Sequence, residues 1–119
     1  MFEEEQFIYE VILGHIDVWE KRFSQVNKPQ DIVNSELGAT LLDAIVTRLQ
    51  AIGENVKKLV KHQSSIIEEH PEIEWEKVVR FRDFISHHYE MLDYEVVFDI
   101  CETNLPKLRA VFSEKTKRP

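Results

Sequence analysis

LLDAIVTRLQAIGENVKKL, residues 41–59, places Leu41, Ile45, Leu49, Ile52, Val56 and Leu59 at intervals of three and four, the repeat that lines one face of an α-helix. The stripe begins at Leu37 and reaches Ile66, so the sequence predicts one long helix from near Ser35 to about Glu69. Gly38 and Gly53 mark points where another segment can come close. His70-Pro71 ends the helix, because proline disfavours helical geometry in the residue before it.

Upstream, Ile8, Val11, Ile12, Ile16, Trp19 and Phe23 keep the same period and predict a helix from Glu3 to about Phe23. Between the two, Ser24 to Ser35 carries Asn27, Pro29, Asp31 and Asn34 and reads as a loop, with one short helical turn after Asp31. A third helix is expected from about Ile73 or Glu74, with Trp75, Val78, Val79, Arg82 and Ile85 on one side and Phe81 and Phe84 on another. Apolar over most of its circumference, it is expected to be central. Asp93 is the expected N-cap of a fourth helix carrying Val96, Val97, Ile100 and Cys101, and Asn104-Leu105-Pro106 marks a break and restart. There is no strand pattern and no internal repeat. The fold class is all-α: an antiparallel bundle of four to five helices forming a single domain over residues 1–119.

Composition narrows the function. Lys and Arg number 15 against 22 Asp and Glu, a net charge of −7, which excludes a protein that coats DNA through a broad basic face. The deficit is uneven. Residues 107–119 hold Lys107, Arg109, Lys115, Lys117 and Arg118 against Glu114, a local +4 that leaves −11 on residues 1–106. A lone Cys101 excludes an internal disulfide framework and Cys-rich zinc sites. The N-terminus MFEEEQFIYE is acidic where a secretory signal is basic and then apolar, and no run approaches about 18 apolar residues, so the chain is assigned to the cytoplasm and away from membranes. None of the five histidines follows a Glu by three residues, the pairing that di-metal bundles use, and phosphate loops, zinc-protease motifs and nucleophile elbows are missing from the sequence. No metal and no cofactor is expected.

The remaining chemistry gathers in RFRDFISHHYEMLDYE, residues 80–95. Arg82 and Tyr89 fall within about 20° of each other on a helix, whereas Arg82 and His87 stand about 140° apart. Arg82 and His87 can meet only if the helix ends near His87, or if a second copy of the chain supplies the partner across a two-fold axis. A plainer reading has Arg82 anchoring a carboxylate such as Asp83 or Glu74, with His87 and His88 favoured by the helix C-terminus. The chemical reading is RNA cleavage without a metal. The 2′-hydroxyl is a built-in nucleophile, a histidine takes or gives a proton near neutral pH, and an arginine fork stabilises charge on the phosphate.

The spacing Arg82, four residues, His87, one residue, Tyr89 resembles the signature of the HEPN superfamily, helical proteins that are often ribonucleases. Residues 41–59, HPEIEWEKVVRFRDFISHHY at 70–89 and DYEVVFDICETNLPKL at 93–108 are similar to the HepT toxins of the HepT-MntA toxin-antitoxin pair. That resemblance implies a homodimer in which two motif copies line a cleft and cut RNA, with Arg82 and His87 catalytic. Arg80, Asp83, His88 and Tyr89 would bind RNA or support the pair. It also implies a partner, an MntA-like nucleotidyltransferase antitoxin, which neutralises the toxin by transferring AMP to Tyr89. Many relatives carry Asn after the Arg and Gly before the Tyr; here Asp83 and His88 stand in those places. An alternative from another class is a catalytically silent helical dimer that serves as a binding module for the nucleotidyltransferase.

Overall fold

A computed structural model describes residues 2–116; Lys117 and Arg118 of the basic tail lie outside the described residues. The architecture is all-α, with helices α1 Phe2–Phe23, α2 Glu36–Lys61, α3 Ser65–Glu69, α4 Trp75–His88, α5 Tyr94–Thr103 and α6 Leu105–Thr116. A 3₁₀ turn at Pro29–Ile32 includes Asp31 instead of following it, and a second at Tyr89–Met91 follows α4. The start of α2 is set by Ser35, whose hydroxyl accepts the Gly38 N–H at 2.9 Å, satisfying one of the orphan donors of a first turn. Gly38 lies against the preceding loop, where an added Cβ would fall 2.2 Å from the Asp31 carbonyl oxygen. Leu37, counted in the apolar stripe, points outward from this first turn and is exposed.

The long stripe does not belong to one helix. Ser64 N–H bonds back to Leu59 O at 3.0 Å and Gln63 N–H to Val60 O at 3.1 Å, with Gln63 in left-handed backbone at φ 53°. Those two bonds are the Schellman arrangement that ends helices. The periodic pattern runs on to Ile66 because α3 turns that residue, fully buried, into the same core.

α2 is the central element: it packs against α1 on one side and α4 on another, burying Ile45, Leu49, Ile52 and Val56. α6 closes the far side of α1, with Phe112 buried 5.7 Å from Tyr9 and 6.1 Å from Trp75, ring to ring. Beneath them Tyr9 and Ser64 hydroxyls share a buried contact of 3.3 Å, which gives both polar groups a partner. Asp93 caps α5 by accepting the Glu95 N–H at 2.8 Å, and α6 restarts at Leu105 with Pro106 in its first turn, as the sequence predicts.

The expectation that the third helix is central is corrected. Of α4 only Trp75 and Ile85 are buried, and Phe84 is exposed. α4 packs on α2 along one face, while its other flank faces α5 and α6 across an open groove of about 410 Å³. Val78 and Phe81 form one wall of the groove, Val96 and Ile100 the other, over a floor that includes Leu49 and Leu105. The apolar circumference of α4 exceeds what the described chain covers. Among the described residues no helix is long and apolar enough to cross a membrane.

Candidate functional site

α2 and α4 run antiparallel, and their shared edge is polar. Asp43, Gln50, Glu54 and Lys57 of α2 fall within about 60° of one another on the helix. Each meets a residue of α4 or of the turn that follows it. Tyr89 Oη donates to Asp43 Oδ1; Gln50 Nε2 donates to Ser86 Oγ at 2.9 Å; Glu54 pairs with Arg82; Lys57 pairs with Asp83 at 3.3 Å. Asp43, Gln50 and Glu54 meet positions 89, 86 and 82 in falling order, and Lys57 reaches Asp83 beside the last of these, so the four contacts form a ladder from the turn after α4 back to the middle of that helix.

Gly53 makes the ladder close. A Cβ there would fall 2.4 Å from Arg82 Cβ and 2.9 Å from its Cγ, so only a residue without a side chain lets the Arg82 stem lie flat on α2. The guanidinium is then held by carboxylates. Nη2 meets Glu54, Nη1 donates to Asp83 at 3.0 Å, and the buried Nε has no hydrogen-bond partner among the described residues. The Arg82 guanidinium, with help from Lys57, holds the Asp83 carboxyl below the usual range, because each opposite charge favours the ionised form. These ion pairs are partly exposed, so they orient more than they stabilise.

The sequence-predicted residues divide into two sets. Arg82, Asp83 and Tyr89 are tied to α2. Arg80, His87 and His88 lie on the exposed side of α4; the His88 ring sits 5.3 Å from Phe84 and 6.5 Å from His87. α4 stays helical through His88, so a helix end does not bring Arg82 and His87 together within one chain. Arg82 does anchor Asp83, as the plainer reading has it, but its second carboxylate is Glu54; Glu74 instead pairs with Lys77 at 2.6 Å.

Tyr89 opens the 3₁₀ turn after α4 and is 45% exposed. Its pKa is pushed up to about 12, first by the hydrogen bond to Asp43 and then by partial burial. The phenol is therefore neutral across the physiological range. Asp43, Glu54, Gln50 and Lys57 are the site residues that sequence reasoning missed. Their shared stripe, beside the apolar one, is the signal that points to them.

A family model described as "Ribonuclease HepT-like" matches residues 12–114. A Methanocaldococcus jannaschii protein named as a candidate RNase is 35% identical over 63 residues, 53% of this chain and 50% of that protein, so the match spans half of the relative's length. A second candidate RNase of the same organism is 26% identical over 111 residues, 93% of this chain and 85% of that protein. A Thermococcus cleftensis protein, named as a candidate ribonuclease HepT, is 30% identical over 74 residues, 62% of this chain and 64% of that one. No solved structure gives a significant match.

Proposed function

The chain belongs to the HepT-like ribonuclease family, and from that premise we propose that it is a metal-independent RNA endonuclease, the toxin of a toxin-antitoxin pair, acting as a homodimer. The observation that carries this reading is the intact Arg82, His87, Tyr89 spacing at the accessible end of α4 in a chain of this family. Arg82 and His87 face different sides of one uninterrupted helix. A site that uses both draws them from two copies, with Arg82 of one protomer beside His87 of its partner.

In such a cleft His87 takes the proton of a ribose 2′-hydroxyl, the freed oxygen attacks the adjacent phosphorus, and the bond to the 5′ oxygen breaks. The 5′ oxygen leaves with a proton returned by an imidazole, and the products end in a 2′,3′-cyclic phosphate and a 5′-hydroxyl. Arg82 stabilises the charge that develops on the phosphate oxygens. Arg80, on the exposed side of α4, supplies a further cation to the backbone, and Asp83 holds Arg82 in place. The exposed His88 contacts phosphate or assists proton transfer.

An MntA-like nucleotidyltransferase silences the site by moving AMP onto Tyr89. That event removes the phenolic O–H, adds phosphate charge within the field of Arg82 and fills the space of an RNA backbone. RNA cleavage with EDTA present tests the reading. Arg82→Ala and His87→Ala should each lose about 100-fold or more activity while staying folded and helical, and a variant that cuts at the wild-type rate would overturn the assignment. Full silencing of a toxic Tyr89→Phe variant by a co-expressed antitoxin would remove Tyr89 as the modified residue. One observation favours the second reading, a silent dimer that serves as a binding module for the nucleotidyltransferase: both terminal nitrogens of Arg82 are already engaged by carboxylates. Wild-type protein that binds the partner tightly and cuts no RNA would establish it.

A further inference from the structure

Tyr89 Oη donates its hydrogen bond to Asp43, and from that contact we propose that Asp43 is the base that takes the phenolic proton when Tyr89 receives AMP. The proposal rests on the reading of Tyr89 as the acceptor and extends it to a residue on another helix, 46 positions away.

A neutral phenol is a poor nucleophile, and this one holds its proton more firmly than an ordinary tyrosine. The proton must leave as the new bond forms. In the transfer, Tyr89 Oη bonds to the α-phosphorus of a nucleoside triphosphate brought by the partner enzyme. The bond from that phosphorus to the pyrophosphate oxygen breaks and pyrophosphate departs, while the proton passes to the Asp43 carboxylate. Once the ester forms, its oxygen is no longer basic, so a carboxylate that cannot ionise the phenol in advance still accepts the proton as attack proceeds. Asp43 is exposed, and the proton then returns to water.

Two features of the ladder single Asp43 out. Glu54 and Asp83 are occupied by Arg82 and Lys57, whereas among the described residues no cation pairs with the Asp43 side chain, whose contact is the Tyr89 hydroxyl. A carboxylate beside a cleft for an RNA backbone also repels that backbone. Its position is a cost to RNA binding and a benefit to Tyr89.

The test incubates wild type, Asp43→Asn, Asp43→Glu and Tyr89→Phe with an MntA-type nucleotidyltransferase and ATP, and follows AMP incorporation by intact mass. Asp43→Asn can still accept the hydrogen bond but cannot take the proton. Its rate should fall about 100-fold or more, and its rate–pH profile should lack the acid limb that the base role predicts for wild type. Asp43→Glu should recover part of the rate. Asp43→Asn modified at the wild-type rate, with the same acid limb, overturns the base role alone. A wild-type chain that takes no AMP overturns the reading beneath it, and the base role falls with it. Spectrophotometric titration is an independent measurement: Asp43→Asn should move the Tyr89 ionisation from about 12 toward the ordinary 10, and an unchanged titration overturns the contact in solution.

Discussion

At the scale of single residues, Gly53 shows how much one hydrogen decides. A methyl group there would stand 2.4 Å from Arg82 Cβ, so Gly53→Ala must push α4 off α2 or swing Arg82 out of its carboxylate pair. We expect a loss of about 1–3 kcal/mol in denaturant unfolding, with RNA cleavage falling alongside; a variant as stable as wild type would show that the two helices yield easily. His15 gives a pH prediction. Its Nδ1 lies 3.0 Å from Arg48 Nη1, and because arginine only donates, the ring accepts there and is neutral. Burial first, and the Arg48 charge second, lower its pKa. The folded state therefore binds fewer protons than the unfolded chain as pH falls through the ordinary value of about 6.5, and stability present above that pH is lost below it. Unfolding midpoints at pH 7.5 and 5.5 should show His15→Gln losing less on acidification than wild type; equal losses would place the sensitivity elsewhere. Sequence spacing alone exposes Gly53 as a close-approach point. It does not expose Asp43 and Glu54, because a carboxylate beside an apolar stripe looks the same whether it faces water or a docked helix.

At the scale of elements, the sequence is most informative where the chemistry of an end is explicit. Asp93 before α5 and Pro106 in the first turn of α6 are readable because their side chains carry the capping and breaking chemistry themselves. The end of α2 is not readable, because a glutamine occupies the left-handed position that glycine usually fills. That residue is held at a conformational cost of roughly 1 kcal/mol, and Gln63→Gly should raise the unfolding midpoint, whereas Gln63→Val should lower it. If glycine leaves the midpoint unchanged, the cost is already offset by local contacts. The placement of α4 is the larger miss. Periodicity reports how much of a helix is apolar, not what covers it, and here part of that surface faces the α5–α6 groove.

For the whole molecule, the −11 carried by residues 1–106 limits how RNA can be held. If Arg80 and Arg82 from two protomers are the phosphate contacts, about four counterions are released, and log K against log salt should slope near −3 for a single strand. Binding of an inactive His87→Ala variant over a range of salt measures this, and a slope twice as steep would mean a basic surface beyond the cleft. The antiparallel seam of α2 and α4 has another consequence, one for inheritance. Its four contacts pair residues 43 with 89, 50 with 86, 54 with 82 and 57 with 83, so a point substitution on α2 disturbs one rung, whereas deleting one residue between Asp83 and Ser86 turns the rest of α4 by about 100° and unlatches the two rungs beyond it. Descendants of this chain are therefore free to trade residues at matched rungs, in compensating pairs, but not to change the count of residues between them.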